Sequence, residues 1–366
     1  MKILIDASAS FHYHSTGIGA YASELINAIK SENPSHEIFL FCGKKAHPLS
    51  EQMLPPPQTE HCFWERTANR AKPDFSEFDI YHNLHNGIGM IGGPRRKIVT
   101  IHDMIPLLLP EFCGSPYKEL FLSQTITAAK NCDAVITVSQ NSKTDILRFT
   151  GIDEERVHVI TEAPKHHCKP LPNTMAADFL RSRYHLQAPF FLYIGGFNQR
   201  KNVAGLIRGY AAVYRKFPYI CPLVIIGKEG SRRKQLEELA DSLSISQYLR
   251  FIGYVPDGEL PFFYNQCKAL IYPSHYEGFG LPPLEAAACG AAVIVSDRAS
   301  LPETMGDGAL YINADDPAAI GEQLFTLISD EKLLKVMATK AYTRSKLFSY
   351  QTTARQTLKL YENICR

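Results

Sequence analysis

The sequence predicts an α/β protein of two doubly wound, Rossmann-like domains facing one another across a cleft, and three observations carry that expectation. Short apolar runs of strand length alternate with segments of helical period, as parallel sheets wrapped by helices require. The alternation begins twice, at KILIDAS and again at FFLYIGG, each time as strand, loop and helix. Between the two series lies KHHCKPLPN, a proline-rich polar stretch suited to a linker. At 366 residues the chain is long for one core and sufficient for two. The expected domains are 1–165 and 188–345, followed by an amphipathic closing helix over 346–366 with Leu358, Tyr361 and Ile364 on its apolar face.

Composition narrows the function classes. Hydrophobic residues make up 45% and charged residues 21%, as in ordinary globular proteins. A formal net charge of +2 argues against a nucleic-acid binder that relies on overall charge. No apolar run approaches the ~20 residues needed to span a bilayer, and MKILIDASAS reads as a strand, not a signal peptide, so a cytoplasmic location is expected. The 9 cysteines are odd in number and without a CxxC pair, which indicates neither a disulfide framework nor a zinc site. His166, His167 and Cys168 are adjacent linker residues, which rarely converge on one ion, so the histidines are read as solvated and no metal is expected.

In the first half, KILIDAS is a buried-type strand and YASELINAIKSE a helix, joined by the loop SASFHYHSTGIG. His12, Tyr13 and His14 in that loop can hydrogen-bond or stack on sugars, which makes it a candidate ligand loop. Gly17 and Gly19, with Ala22, fit the G-x-G-x-x-G/A pattern of dinucleotide binding, but the first glycine does not follow the strand at once. The second strand, EIFLFCG, also lacks the acidic end that pattern needs. The stretch 43–73 has no clear period and is assigned no chemistry. FDIYHN and RRKIVTIHD read as strands that end in His82, His85, Asn86, His102 and Asp103, and ligands bind at such ends in parallel sheets. SPYKELFLSQTITAAKNC reads as a helix, DAVITVS as a strand, and Ser139 as the N-cap of a helix that stops before Gly151.

The second half repeats the design. FFLYIGG leads through FNQRKN into a helix, which places Arg200 and Lys201 just ahead of the helix start. LRFIGYVPDGELPFFYNQC reads as strand, loop and helix, with Tyr254, Val255 and Pro256 able to wall a nucleobase. CKALIYPS is a strand, and SHYEGFGLPPLEAAACG folds from loop to helix, with Pro282 and Pro283 in the first turn where a missing N–H costs nothing. The amides of Gly278, Phe279, Gly280 and Leu281 then form an anion site at the helix N-terminus. Glu277 stands beside that site. Glu285, expected in the first turn and pointing outward, can accept two hydrogen bonds from a vicinal diol such as a ribose.

The whole stretch, with its GFGLPPLEA core, resembles the E-x7-E signature of retaining glycosyltransferases of the two-Rossmann (GT-B) type, the glycogen-synthase-like and mannosyltransferase-like group. GGFNQRKN resembles the phosphate-binding segment of that group, although many members have Gly-Arg where this chain has Gly195-Gly196. The resemblance implies that the GIG turn faces the donor phosphates, that His102 in TIHDMIPLLLPE faces the donor sugar, and that the 254–256 loop meets the base. It also implies that the last helix crosses back to the first domain and that the anomeric configuration is retained. Nucleotide sugar is then a co-substrate, no cofactor or metal is needed, and Arg200, Lys201 and the helix N-terminus stabilise the leaving diphosphate.

TIHDMIPLLLPE, SLPETMGDGALY and FSYQTTARQTLKLYE look most like bacterial mannosyltransferase-like members that build surface polysaccharides, which makes GDP-mannose the first choice of donor and a saccharide or lipid-linked sugar the acceptor. Arg95, Arg96 and Lys97, with Lys118, Lys130, Phe121 and Leu122, suggest weak peripheral contact with the inner membrane surface. A solvated basic turn is the alternative. A sugar- or nucleotide-binding module without turnover, and a phosphorylase or nucleotide-sugar epimerase on a similar frame, are the other readings.

Overall fold

A computed structural model describes residues 1–12, 16–32, 35–41, 62–63, 75–112, 115–217 and 221–366. The chain divides into two compact units, one of Met1–Glu162 with Ser349–Arg366 and one of Ala163–Phe348. Each is a parallel sheet wrapped by helices.

Among the described residues the first unit holds seven strands: β1 (Lys2–Asp6), β2 (Glu37–Phe41), β3 (Cys62–Phe63), β4 (Ile80–Asn83), β5 (Arg96–Ile101), β6 (Ala134–Thr137) and β7 (Val157–Val159). Their order is β3-β2-β1-β4-β5-β6-β7 and every pair is parallel. The central strands are buried along their length because helices cover both faces, which is why they read as continuous apolar runs. Ser139 accepts from Ser142 N and caps the helix Gln140–Thr150, which ends on Gly151 at φ 65°, so one hydroxyl and one glycine bound that helix as expected. The expected helix after Ser115 carries a π-turn at Phe121–Thr125 between Ser115–Leu120 and Ile126–Asn131.

The second unit holds β8 (Phe190–Ile194), β9 (Leu223–Ile226), β10 (Leu249–Ile252), β11 (Cys267–Tyr272), β12 (Ala292–Ser296) and β13 (Leu310–Ile312), in the order β10-β9-β8-β11-β12-β13, all parallel. Strand order reverses beside β1 in one sheet and beside β8 in the other. β1 and β4, and likewise β8 and β11, therefore flank the switch points at whose strand ends doubly wound sheets bind ligands.

Three expectations change. The segment between the two expected domains contains the helix Asn173–Tyr184, whose Phe179 stacks on Phe262 at 4.0 Å, and all of it is part of the second unit. Gly17 and Gly19 lie in the first turn of the helix Gly17–Ser31, capped by Thr16, and not in a loop. The closing helix, Tyr350–Cys365, packs on the first unit through Tyr350, Thr353, Ala354, Thr357, Leu360 and Tyr361. The expected face missed Thr353 and Thr357, whose hydroxyls bond to the carbonyls of Thr161 and Thr353 and so can be buried without penalty.

Candidate active site

The arrangement in the second unit follows from the adjacency of β8 and β11. After β8, Asn198 caps the 3-10 turn Gln199–Lys201 and Asn202, at φ 54°, caps the next helix by accepting from Gly205 N. Two asparagines thus fix the short turn that carries Arg200 and Lys201. After β11, the loop bearing Glu277 is fastened from the β12 side by three hydroxyls: Ser296 donates to Ser274 O at 2.5 Å, Ser300 to Glu277 O at 2.8 Å and Thr304 to Phe279 O at 2.7 Å. Gly280 precedes the helix Leu281–Ala288 at φ +106°, and no side chain caps that helix.

The two loops meet at Glu277. Its Oε1 lies 2.9 Å from Arg200 Nη1 and 2.7 Å from Lys201 Nζ. Lys201 also donates to the Tyr272 hydroxyl at 2.5 Å and stands 4.8 Å from that ring. Burial would raise the Glu277 carboxyl, but the Arg200 and Lys201 charges outweigh it and hold the acid down at about 2. The cluster carries one net positive charge, on two cations already oriented by a carboxylate, where they can accept an anion with little rearrangement.

Glu285 departs from expectation. It is the fifth residue of its helix and only 3% exposed, so it does not point outward. Its Oε2 accepts from Tyr264 Oη at 2.9 Å, and Lys165 Nζ stands 3.5 Å from Oε1 and 2.8 Å from Asp257 Oδ2. Phe279 and Leu281 are buried, with Phe279 edge-on to Phe348, so they can offer a ligand main chain and not side chain. Val255 is buried at 3% whereas Tyr254 is 52% exposed, which leaves Tyr254 as the surface of that pair.

In the first unit, His102 is 5% exposed. Its Nδ1 lies 2.9 Å from Glu162 Oε1 and its Nε2 3.1 Å from Leu84 O, so both ring nitrogens are engaged within this unit. His82 is fully buried between Tyr361 Oη at 2.6 Å and Thr100 Oγ1 at 2.8 Å, which ties the closing helix to the sheet. His12 ends the helix Ser8–His12, while Tyr13 and His14 lie outside the described residues. Arg95 and Arg96 face Asp79 and Asp133 at 3.7 and 2.9 Å, and Phe121 is fully buried, so the expected basic and apolar surface is partly paired and partly core. Among the described residues no helix is long and apolar enough to cross a membrane.

Sequence reasoning missed Lys165, Tyr264, Tyr272 and Glu162. Lys165 falls in the stretch that reads as linker; the other three make contacts across elements that no local pattern encodes.

Two family profiles match this chain: "Glycosyl transferases group 1" over residues 179–344 and "Glycosyltransferase Family 4" over residues 15–162. The chain belongs to the group 1 glycosyltransferases. The O-antigen chain mannosyltransferase B of Escherichia coli is 28% identical over 99% of this glycosyltransferase and 100% of its own length. The serotype-specific mannosyltransferase WbdA of Escherichia coli is 31% identical over 71% of the chain, which spans only 32% of that larger protein. Among solved structures, sucrose-phosphate synthase of Thermosynechococcus elongatus superposes with a TM-score of 0.76 at 18% identity, covering 100% of this chain and 99% of its own. Anabaena HepE in complex with UDP-glucose does so with 0.74 at 19%, covering 99% and 100%. Both share the two-domain Rossmann-like fold with this glycosyltransferase.

Proposed function

We propose that this glycosyltransferase moves a hexose, mannose as first choice, from GDP-mannose to a saccharide or lipid-linked acceptor in surface polysaccharide synthesis, with retention and without a metal. The observation that carries the reading is the Glu277 cluster: a carboxylate and two cations at the reversal of strand order, beside an uncapped helix start. Negative charge on the diphosphate grows as the sugar departs. Arg200 and Lys201, preoriented in a site of low dielectric, stabilise that growth more than they stabilise the intact donor. With no carboxylate assigned as a covalent nucleophile, a front-face route through an oxocarbenium-like state accounts for retention. The likeness to bacterial mannosyltransferases supports mannose, and the HepE complex makes UDP-glucose the competing donor. A cytoplasmic location, with weak contact at the inner membrane surface, goes with a lipid-linked acceptor.

The test is release of nucleoside diphosphate from GDP-mannose, UDP-glucose, ADP-glucose and dTDP-glucose with a membrane extract as acceptor source, with and without EDTA. NMR of the product reports the anomeric configuration. Faster turnover of UDP-glucose would replace the donor, inversion would remove the front-face route, and loss with EDTA restored by Mg²⁺ would remove metal independence. Binding of a nucleotide sugar without turnover would favour the module reading.

A further inference from the structure

Lys165 is three residues past Glu162, where the chain enters the second unit. Its side chain is 12% exposed, and its ammonium lies between two carboxylates without treating them equally. Asp257 Oδ2, on a side chain 36% exposed, is within hydrogen-bond distance at 2.8 Å; Glu285 Oε1 is farther, at 3.5 Å. Burial would lower the Lys165 ammonium, but the charges of Glu285 and Asp257 more than reverse this and hold it charged.

The two oxygens of Glu285 differ in the same way. Oε2 accepts from the Tyr264 hydroxyl, whereas Oε1 is buried with no hydrogen-bond partner. A carboxylate oxygen left so is costly unless a donor absent from the protein completes it. Resting on the donor reading above, we infer that Lys165 is a positioning residue for diol recognition: it gives its hydrogen bond to Asp257 and only its charge to Glu285, which leaves Oε1 to accept a ribose hydroxyl. A lysine bonded directly to Oε1 would occupy that acceptor. A neutral residue at 165 would leave the buried carboxylate without its cation. Asp257 is therefore the anchor that holds the ammonium back.

Calorimetric titration with GDP and 2′-deoxy-GDP, and in parallel with UDP and 2′-deoxy-UDP, tests this on the full chain. The wild type should prefer the ribonucleotide by about tenfold or more, the size of one charge-assisted hydrogen bond. Lys165→Met should weaken GDP by about the same factor and abolish the preference, and Lys165→Arg should restore most of it. Asp257→Asn, at a partly exposed site, should release Lys165 onto Oε1 and reduce the preference in a folded protein. A wild-type ratio retained in Lys165→Met, or in Asp257→Asn should the first variant not fold, overturns the inference. A wild type that binds GDP or UDP without preferring ribose overturns it while leaving the donor reading intact. A wild type that binds none of the four overturns both.

Discussion

His102 Nδ1 and Glu162 Oε1 are 2.9 Å apart on side chains each 6% exposed, while His102 Nε2 faces the Leu84 carbonyl. A carbonyl can only accept, so Nε2 is the donor to Leu84, and a carboxylate beside Nδ1 favours a second proton there. The pairing favours the imidazolium form of His102. Burial opposes this, but the hydrogen bond and charge of Glu162 outweigh it and raise the group above its ordinary 6.5. A raised value stabilises the fold fully below the unfolded value and loses that contribution as pH rises through the folded one. Glu162→Gln should cost about 3–5 kcal/mol, the cost of breaking a buried pair by removing one partner. Urea unfolding at pH 6 and histidine NMR check it; an unchanged midpoint and an unchanged His102 titration would show the pair to be incidental.

The neighbouring His82 behaves oppositely. Burial first, and then the His102 charge, push it down to about 3. With 6.5 in the unfolded chain, the unfolded state binds the extra proton between pH 6.5 and 3. The contribution of His82 is present above 6.5 and is lost as pH falls, by about 1.4 kcal/mol per pH unit. Glu277 adds a second loss only below its ordinary 4.5, toward about 2. Denaturant titrations at pH 7, 5.5 and 4.5 should therefore show a decline that is shallower in His82→Gln. Equal slopes for the two proteins would remove His82 as its source.

Glu277→Gln should separate binding from turnover. Removing the acid leaves Arg200 and Lys201 without their anion, so free GDP should bind about tenfold tighter, while transfer slows because the cations lose their orientation. Lys201→Ala and Arg200→Ala should lower kcat more than they raise KM. Calorimetry with GDP and steady-state kinetics measure these quantities, and weaker GDP binding by Glu277→Gln would exclude the charge argument.

Two glycines in this site should respond differently. A Cβ at Gly280 would stand 2.7 Å from Leu301 Cδ2 at a φ of +106°, so Gly280→Ala should destabilise the loop by about 1–3 kcal/mol and impair nucleotide binding. At Gly196 the nearest atom to a Cβ is Asn198 Nδ2 at 3.9 Å. Gly196→Arg should fold normally and, by adding a cation beside Arg200 and Lys201, strengthen GDP binding several-fold. Thermal unfolding and calorimetry distinguish them; a greater loss of stability at Gly196 than at Gly280 would contradict the steric argument.

Much of this protein was legible locally. Apolar runs located β1, β8 and β11, because a strand covered on both faces must be apolar throughout. Ser139 and Gly151 bounded their helix because capping is a short-range matter. The loop after Tyr272 declared itself through glycines and prolines whose backbone consequences are confined to a few residues. What the sequence could not show is partnership between distant residues. Lys201, with Arg200 beside it, meets Glu277, 76 residues on from the lysine, because the order β8-β11 makes two loops neighbours. Glu285 turned out to be buried and Lys165 to belong to its site because helix phase and packing, set by Tyr264 and Asp257, decide where a charged side chain ends. His102 was recognisable by its place after β5, but its charge depends on Glu162, 60 positions away. Periodicity records which residues avoid water; which buried charges neutralise one another is decided only when the sheets have formed.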